Sequence, residues 1–344
     1  MKKILIFKND RIGDFLHLSR CIKEIHENFN DHKITLICSK NNYQIAKKFL
    51  FIEKFIILNH KSFIITLFSN LKDLLLTKYE HVFVFDGKNS SFRTSYFVRA
   101  KTKSCLCFLK KKKFLFFKFR TFRPFKFFLY LFYKNYIFCD EDYSNTKIKY
   151  QELYFQLLKN LNLRISSKKN YFILNDNYRG MYSNFFNQNI NATYVIFHFD
   201  EKWEKYSDID FKNSLKIIKH QSQKNKVLLT TGIKPFRFLN ELEKIFSSFD
   251  YINSKIEKNN AVDLNDVIIL KNLPLDLLAH FIANSSKIIT SHSGPLINIP
   301  PVFDVKIVDI IKKSKFNELG RWVPIESNYK RYSFEEVEKN INNI

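Results

Sequence analysis

Glycine, proline, methionine and tryptophan are all scarce in this 344-residue chain, at 6, 7, 2 and 2 residues. So few turn-formers exclude collagen-like, low-complexity and linker-dominated architectures. Cysteine is sparse and scattered, with Cys21, Cys38, Cys105, Cys107 and Cys139 forming no C-x-x-C pair. That argues against a disulfide scaffold and a structural zinc site, and makes a reducing cytoplasm the expected home. Acidic residues are outnumbered, Asp+Glu 33 against Lys+Arg 57, for a formal net charge of +24. No window offers the roughly 18 uncharged apolar residues of a membrane-spanning helix. The nearest approach, Phe127 to Tyr133, is short and flanked by Lys126 and Lys134. The apolar opening Ile4-Leu5-Ile6-Phe7 is cut off by Lys8, Asn9, Asp10 and Arg11, too early for a signal peptide. A soluble or peripheral protein is expected.

What is abundant is Phe, at 38 residues, and Tyr, at 17. Together with frequent Lys, Asn and Ile this is the set that AT-rich codons favour, so the location of charge says more about partners than its total. Hydrophobic residues make up 45% of the chain, enough for real cores, and the length suits two domains.

Apolar runs of strand length alternate with stretches of helical spacing. Lys3–Phe7 reads as a strand buried on both faces, and Phe15, Leu18, Ile22 and Ile25 as one face of a helix. Strands at Ile34–Cys38, Phe55–Leu58 and His81–Phe85 follow, with helices near Tyr43–Phe49 and Phe63–Leu76. The pattern blurs between Lys101 and Phe138, where basic and aromatic residues pile up. An amphipathic helix over Lys147–Leu163 and a crossover at Lys168–Arg179 lead to a second series: strands at Tyr194–Phe199, Lys226–Thr230, Asp266–Leu270, Lys287–Thr290 and Val305–Ile311, and helices at Phe211–His220, Lys234–Phe246, Leu275–Asn284 and Ser333–Asn342. Alternation of this kind predicts parallel sheets. The expected architecture is α/β, two Rossmann-like domains over residues 1–175 and 176–344 facing across a cleft, with the last helix able to pack back on the first domain. Such clefts bind ligands at the carboxyl ends of strands.

The sharpest local feature is Asp10-Arg11-Ile12-Gly13-Asp14, in the first strand-to-helix turn. Gly13 permits an unusual backbone angle or a close approach. Asp14 has two readings, a helix N-cap or a carboxylate facing the cleft. From Ile4 to Asp14 the chain resembles glycosyltransferase family 9, the heptosyltransferase-like enzymes of bacterial surface polysaccharide. There a strand rich in Ile, Leu and Val precedes a D-R-[IL]-G-D turn and an amphipathic helix. The likeness continues at Phe83-Val84-Phe85-Asp86-Gly87, and at Ile288–Pro295, where a strand enters a [DHS]-[TS]-G turn.

The resemblance implies the two-domain GT-B fold and an inverting transfer of a sugar from a nucleotide-diphosphate sugar to a surface glycan, lipid-linked in such systems and exemplified by lipopolysaccharide core. It implies Asp14 as the base that deprotonates the acceptor hydroxyl, with Asp10, Arg11, Gly13, Asp86 and Lys88 on the acceptor side. It places Lys202, Ser293 and Gly294 around the departing diphosphate, the backbone N–H groups of a helix N-terminus among the donors, with His292 also on the donor side. Thr231 and Gly232 end the next strand and either line the nucleotide pocket or form a plain turn. Glu241 or Glu243 would meet the ribose or base, and the choice stays open. One departure is clear. The family turn begins with Asp and carries a His three residues after its Gly, whereas His292 and Ile297 stand here, and the closely spaced Pro295, Pro300 and Pro301 leave no room for a long helix.

No metal or other cofactor is expected. His17, His198 and His292 lack the companions of a metal site, and Asp208-Ile209-Asp210 reads as the acidic start of a helix. Lys110–Lys113, interleaved with Phe114, Phe116, Phe117, Phe119, Arg120 and Arg123, suits docking on the anionic inner leaflet. The rival reading is a basic RNA- or membrane-binding α/β protein without chemistry.

Overall fold

The apolar run after the first residues forms strand β1 (Lys3–Lys8), whose Ile4–Phe7 are wholly buried, as a strand covered on both faces requires. The structure, a computed structural model, describes residues 2–58, 63–114, 117–122, 126–139, 148–207, 210–232, 238–252, 255–257 and 266–340. The chain divides into two compact units, Met1–Tyr171 and Phe172–Ile344.

The first unit continues through α1 (Ile12–Asn28), β2 (Lys33–Cys38), α2 (Lys40–Ala46), β3 (Ile52–Ile57), α3 (Phe63–Ser69), β4 (Lys78–Val84), α4 (Asn89–Phe97), β5 (Arg99–Phe114), β6 (Phe117–Phe122), α5 (Lys126–Phe132), β7 (Asn135–Cys139) and α6 (Tyr150–Lys159). The sheet runs β3-β2-β1-β4-β5 in parallel, with β7 parallel on the far side of β5. Its core gathers Leu5, Phe7, Ile37, Val82, Val84, Cys105 and Leu129.

One expectation needed correction here. The helix expected over Phe63–Leu76 breaks into α3 and a five-residue π turn, Lys72–Leu76. The described residues of 101–138, where the alternation is lost to view, form sheet and helix. Strand β5 pairs with β4 and β7 over its first half, then leaves to pair antiparallel with β6. The backbone of Lys110–Lys113 lies in that hairpin, opposite Thr121, Arg120, Phe119 and Lys118. A strand that serves two partnerships shows no single period, which is why the pattern blurs.

The second unit holds α7 (Arg179–Asn189), β8 (Tyr194–Phe199), α8 (Glu201–Tyr206), α9 (Phe211–Ser222), β9 (Lys226–Thr231), α10 (Leu239–Glu243), β10 (Ser247–Asp250), β11 (Lys255–Glu257), β12 (Val267–Lys271), α11 (Leu275–Ala283), β13 (Lys287–Thr290), α12 (Gly294–Asn298), β14 (Lys306–Ile310), α13 (Phe316–Gly320), β15 (Tyr329–Tyr332) and α14 (Phe334–Lys339). The sheet order is β11-β10-β12-β9-β8-β13-β14-β15, parallel except for β10 with β11. Strand β8 is buried at every position. Val195, Phe197, Ile217, Leu229, Ile289 and Val308 form the core, and Val337 of α14 joins it. Residues 233–237 lie outside the described residues, so the helix expected over Lys234–Phe246 is seen only as α10. No described helix is long and apolar enough to cross a membrane.

Candidate active site

Both sheets carry a topological switch point, where the chain leaves one strand for opposite sides of the sheet. In the first unit β1 lies between β2 and β4; in the second β8 lies between β9 and β13. Open α/β sheets bind ligands outside the carboxyl ends of those strands, and the expected site residues fall there in both units.

In the first unit, Lys8 ends β1 with its side chain buried, 1% exposed. Its Nζ lies 2.8 Å from Asp10 Oδ2 and donates to the Tyr154 hydroxyl at 3.3 Å. Burial works to lower the Lys8 pKa, but the negative charges of Asp10 and Asp14, with the Tyr154 hydroxyl, outweigh it and hold the ammonium above its ordinary range. Asp86, after β4, accepts from the Asn9 backbone N–H at 3.0 Å, from the Lys88 N–H at 3.0 Å and from the Ser91 hydroxyl at 2.6 Å. Lys88 Nζ donates in turn to the Asn9 carbonyl. The two loops are thereby laced together, yet burial and the charge of Asp10 still push Asp86 above the usual carboxylate range. Gly87 adopts φ 61°, and a Cβ there would meet the Phe108 ring at 2.0 Å. The wholly buried Asn9 amide has no hydrogen-bond partner among the described residues.

Asp14 is not the N-cap. Helix α1 begins at Ile12, Arg11 occupies the cap position without a side-chain bond, and Asp14 sits in the first turn. Its carboxylate reaches back to the Arg11 backbone N–H, as the third residue of a capping box does. Gly13 is an ordinary helical residue, and Gly87 is the one glycine with positive φ among the described residues. Burial, followed by the charge of Asp10, raises the Asp14 pKa; Lys8, Arg11 and the cap bond oppose this without cancelling it. A partly buried carboxylate of raised basicity at a switch point is what a general base needs.

In the second unit, Asp200 follows β8 and is 4% exposed. It caps α8 by accepting the Lys202 N–H at 2.9 Å, accepts the Ser293 hydroxyl, and stands 3.7 Å from His198 Nε2. Burial alone would raise its pKa, but His198 and these donors hold it below the usual carboxylate range. Lys202 therefore lies on a short helix and not in a loop, with Nζ 5.3 Å from the Tyr206 ring centre. Thr231 ends β9 opposite Phe199, and the Gly232 N–H donates to the Phe199 carbonyl at 2.8 Å. A Cβ on Gly232 would approach Asp200 Cβ to 2.7 Å. Gly232→Ala is accordingly expected to force the loops after β8 and β9 apart and to destabilise the second unit by about 1 kcal/mol or more, measurable as a lower denaturation midpoint.

The turn after β13 holds Ser291, His292, Ser293 and Gly294. The His292 backbone N–H donates to Asp309 Oδ1 at 2.6 Å and its ring Nδ1 lies 2.7 Å from Asp309 Oδ2. Ser293 is the cap residue of α12 and Gly294 its first residue. That helix has five residues, so the dipole expected of it at this turn is small. Glu243 pairs with Lys271 at 2.8 Å, and Glu241 is exposed. Asp210 caps α9 by accepting the Asn213 N–H at 2.8 Å; Asp208 and Ile209 lie outside the described residues.

Sequence reasoning missed Lys8, Tyr154, Asp200, Asp309 and Tyr329. The available signal was a charged residue closing or interrupting an apolar run, Lys8 after Ile4–Phe7 and Asp309 between Val308 and Ile310. A charge in such a place needs a partner.

Two doubly wound parallel sheets, each with polar groups gathered at its switch point, define the two-domain α/β architecture of the GT-B fold. Within that class the chain is similar to a family 9 glycosyltransferase from Veillonella parvula, with a TM-score of 0.69 at 13% identity over 98% of this chain and 90% of that one. It is also similar to the E. coli ADP-heptose lipopolysaccharide heptosyltransferase II, at 0.65 and 12% over 100% and 98%. A third is an E. coli heptosyltransferase solved with ADP-2-deoxy-2-fluoro heptose, at 0.60 and 14% over 99% of both chains. At such identities the likeness shows the fold. No protein-family model matches the chain, and no curated protein matches it by sequence.

Proposed function

We propose that the protein is an inverting glycosyltransferase that moves a sugar from a nucleotide-diphosphate sugar to a glycan acceptor of the lipopolysaccharide-core kind. The observation that carries this reading is the Asp14 carboxylate, ordered by its own helix and made more basic by burial and by Asp10. Asp14 takes the proton of the acceptor hydroxyl as the oxygen attacks the anomeric carbon, and the glycosidic bond to the diphosphate breaks. Asp10, Arg11, Gly13, Asp86 and Lys88 shape the acceptor side. Thr231 and Gly232 line the nucleotide, while Lys202, His292, Ser293 and Gly294 hold the diphosphate, whose negative charge grows as it departs.

A thermal-shift screen of ADP, UDP, GDP and CDP tests the donor half of this reading. One of them at a hundred times its dissociation constant is expected to stabilise the native state by about 2.7 kcal/mol. No response to any of the four, together with salt-sensitive RNA binding, would favour the basic binding protein instead.

The hairpin bearing Lys110–Lys113 is proposed to dock on anionic lipid. Changing all four lysines to Glu is expected to abolish sedimentation with phosphatidylglycerol vesicles at low salt, at about 1 kcal/mol lost per lysine. Activity on a soluble acceptor should be retained. Unaltered sedimentation would remove the docking role.

A further inference from the structure

Helices α3, α4 and α5 cover one face of the first sheet and are apolar on both sides. Leu67, Phe92 and Leu129 on their inner sides enter one core with Leu5, Phe7, Val82 and Val84. Tyr96 of α4 stacks on Phe128 and Phe132 of α5 at ring-centre distances of 5.5 and 4.7 Å, which joins these two helices into a layer. The outer side of such a layer is expected to be polar. Instead Phe68 of α3, Leu76 of the π turn, Phe97 of α4, and Phe127, Tyr130 and Leu131 of α5 are each more than half exposed.

A bias toward AT-rich codons does not account for this. It would scatter exposed Phe, Ile and Leu over both units, whereas in the second unit only Met181 and Ile252 are large, apolar and exposed among the described residues. Apolar side chains gathered on one face mark a surface that something covers. The helices have seven, nine and seven residues, too few to cross a bilayer, so whatever covers them meets them side on.

Charge decides between the occupants. Helices α3, α4 and α5 contain no Asp or Glu. Lys72, Arg93 and Lys134 are exposed on or beside them, and Asp73 of the π turn is already paired with Lys54 at 2.6 Å. A second copy of the chain would set these cations against themselves, since a two-fold contact matches a patch with its own image. An anionic lipid surface offers the opposite charge to the cations and an apolar boundary to the rings.

Independently of the transferase reading, we propose that the outer face of α3, α4 and α5 inserts shallowly into an anionic bilayer. Phe68, Leu76, Phe97, Phe127 and Leu131 enter the boundary between head groups and acyl chains, while Lys72, Arg93 and Lys134 stay among the head groups. The hairpin that precedes α5 in the chain draws the protein to the surface by charge, and this face holds it there by apolar burial. Salt separates the two contributions, because it screens charge and leaves apolar burial intact.

The test is sedimentation of the full chain with vesicles of phosphatidylglycerol and phosphatidylcholine. Protein bound at low salt is expected to stay bound in about 1 M sodium chloride, where the screening length is about 3 Å. The triple variant Phe68→Ser, Phe127→Ser, Leu131→Ser keeps every lysine. It should lose at least about tenfold in partition and be released by the same salt, with a melting midpoint equal to the parent's. Should it fail to fold, Phe97→Ser with Tyr130→Ser is expected to give the same release. Loss of the parent itself at high salt would show that charge alone holds it, and would overturn the proposal. So would undiminished binding of the folded variants. A parent dimer that the triple variant turns into a monomer in sedimentation velocity would give the face to a second copy, and would overturn it too.

Discussion

Asp14→Asn should lower sugar transfer by about a thousandfold, within the range that a positioned general base supplies, while the affinity for nucleoside diphosphate stays unchanged. The variant should also be at least as stable as the parent. Asn keeps an oxygen acceptor for the Arg11 backbone N–H and loses a charge that burial and Asp10 disfavour. A carboxylate whose folded pKa lies above its unfolded value binds more protons in the native state. Its contribution is therefore present at low pH and is lost as pH rises through the folded value. Asp86 shares this direction, so the parent should lose stability as pH climbs out of the acidic range, and Asp14→Asn should remove part of that slope while Asp86 keeps the rest. Activity should run the opposite way, failing as pH falls through the same window because a protonated Asp14 cannot accept the hydroxyl proton. Denaturation midpoints and rates across one pH series read both. Retained turnover in Asp14→Asn would remove it as the base.

The alternation of apolar strands and amphipathic helices was enough to place two parallel sheets, because strands buried on both faces, such as Ile4–Phe7 and Tyr194–Phe199, can only be covered by helices. The turns proposed to carry chemistry could be located for the same reason, since a parallel sheet displays its polar groups where buried strands end. The helix start was not. Ile12-Gly13-Asp14 reads as a turn by composition, yet the helix begins two residues before that carboxylate, with Asp14 in its first turn reaching back to the Arg11 N–H. Partners that arrive from distant segments were also hidden. Tyr154 meets Lys8 across 146 positions, and Tyr329 meets Asp309 from a neighbouring strand. Neither contact has a local period to betray it.

Lys8 makes the other large prediction, and it follows from how little space the first switch point leaves for an unbalanced charge. Lys8→Met keeps the unbranched aliphatic stem of the side chain and removes the cation that faces Asp10 at 2.8 Å and the Tyr154 hydroxyl at 3.3 Å. Breaking a buried pair from one side costs about 3 kcal/mol, because the surviving charge has no compensation. In a unit of this size that lowers the unfolding midpoint by roughly 10 °C. The double variant Lys8→Met with Asp10→Asn should recover most of the loss, since replacing both partners leaves no stranded charge, and the coupling measured by that cycle isolates the pair from the packing around it. The rate carries a separate signature. Lys8 is one of the groups holding the Asp14 pKa down, so its removal should raise that value further and shift the acid limb of the pH–rate profile to higher pH. A Lys8→Met enzyme that loses stability with its acid limb unmoved would show Lys8 to be a pillar of the fold with no hand on the base. A moved limb ties the buried lysine to the chemistry of Asp14.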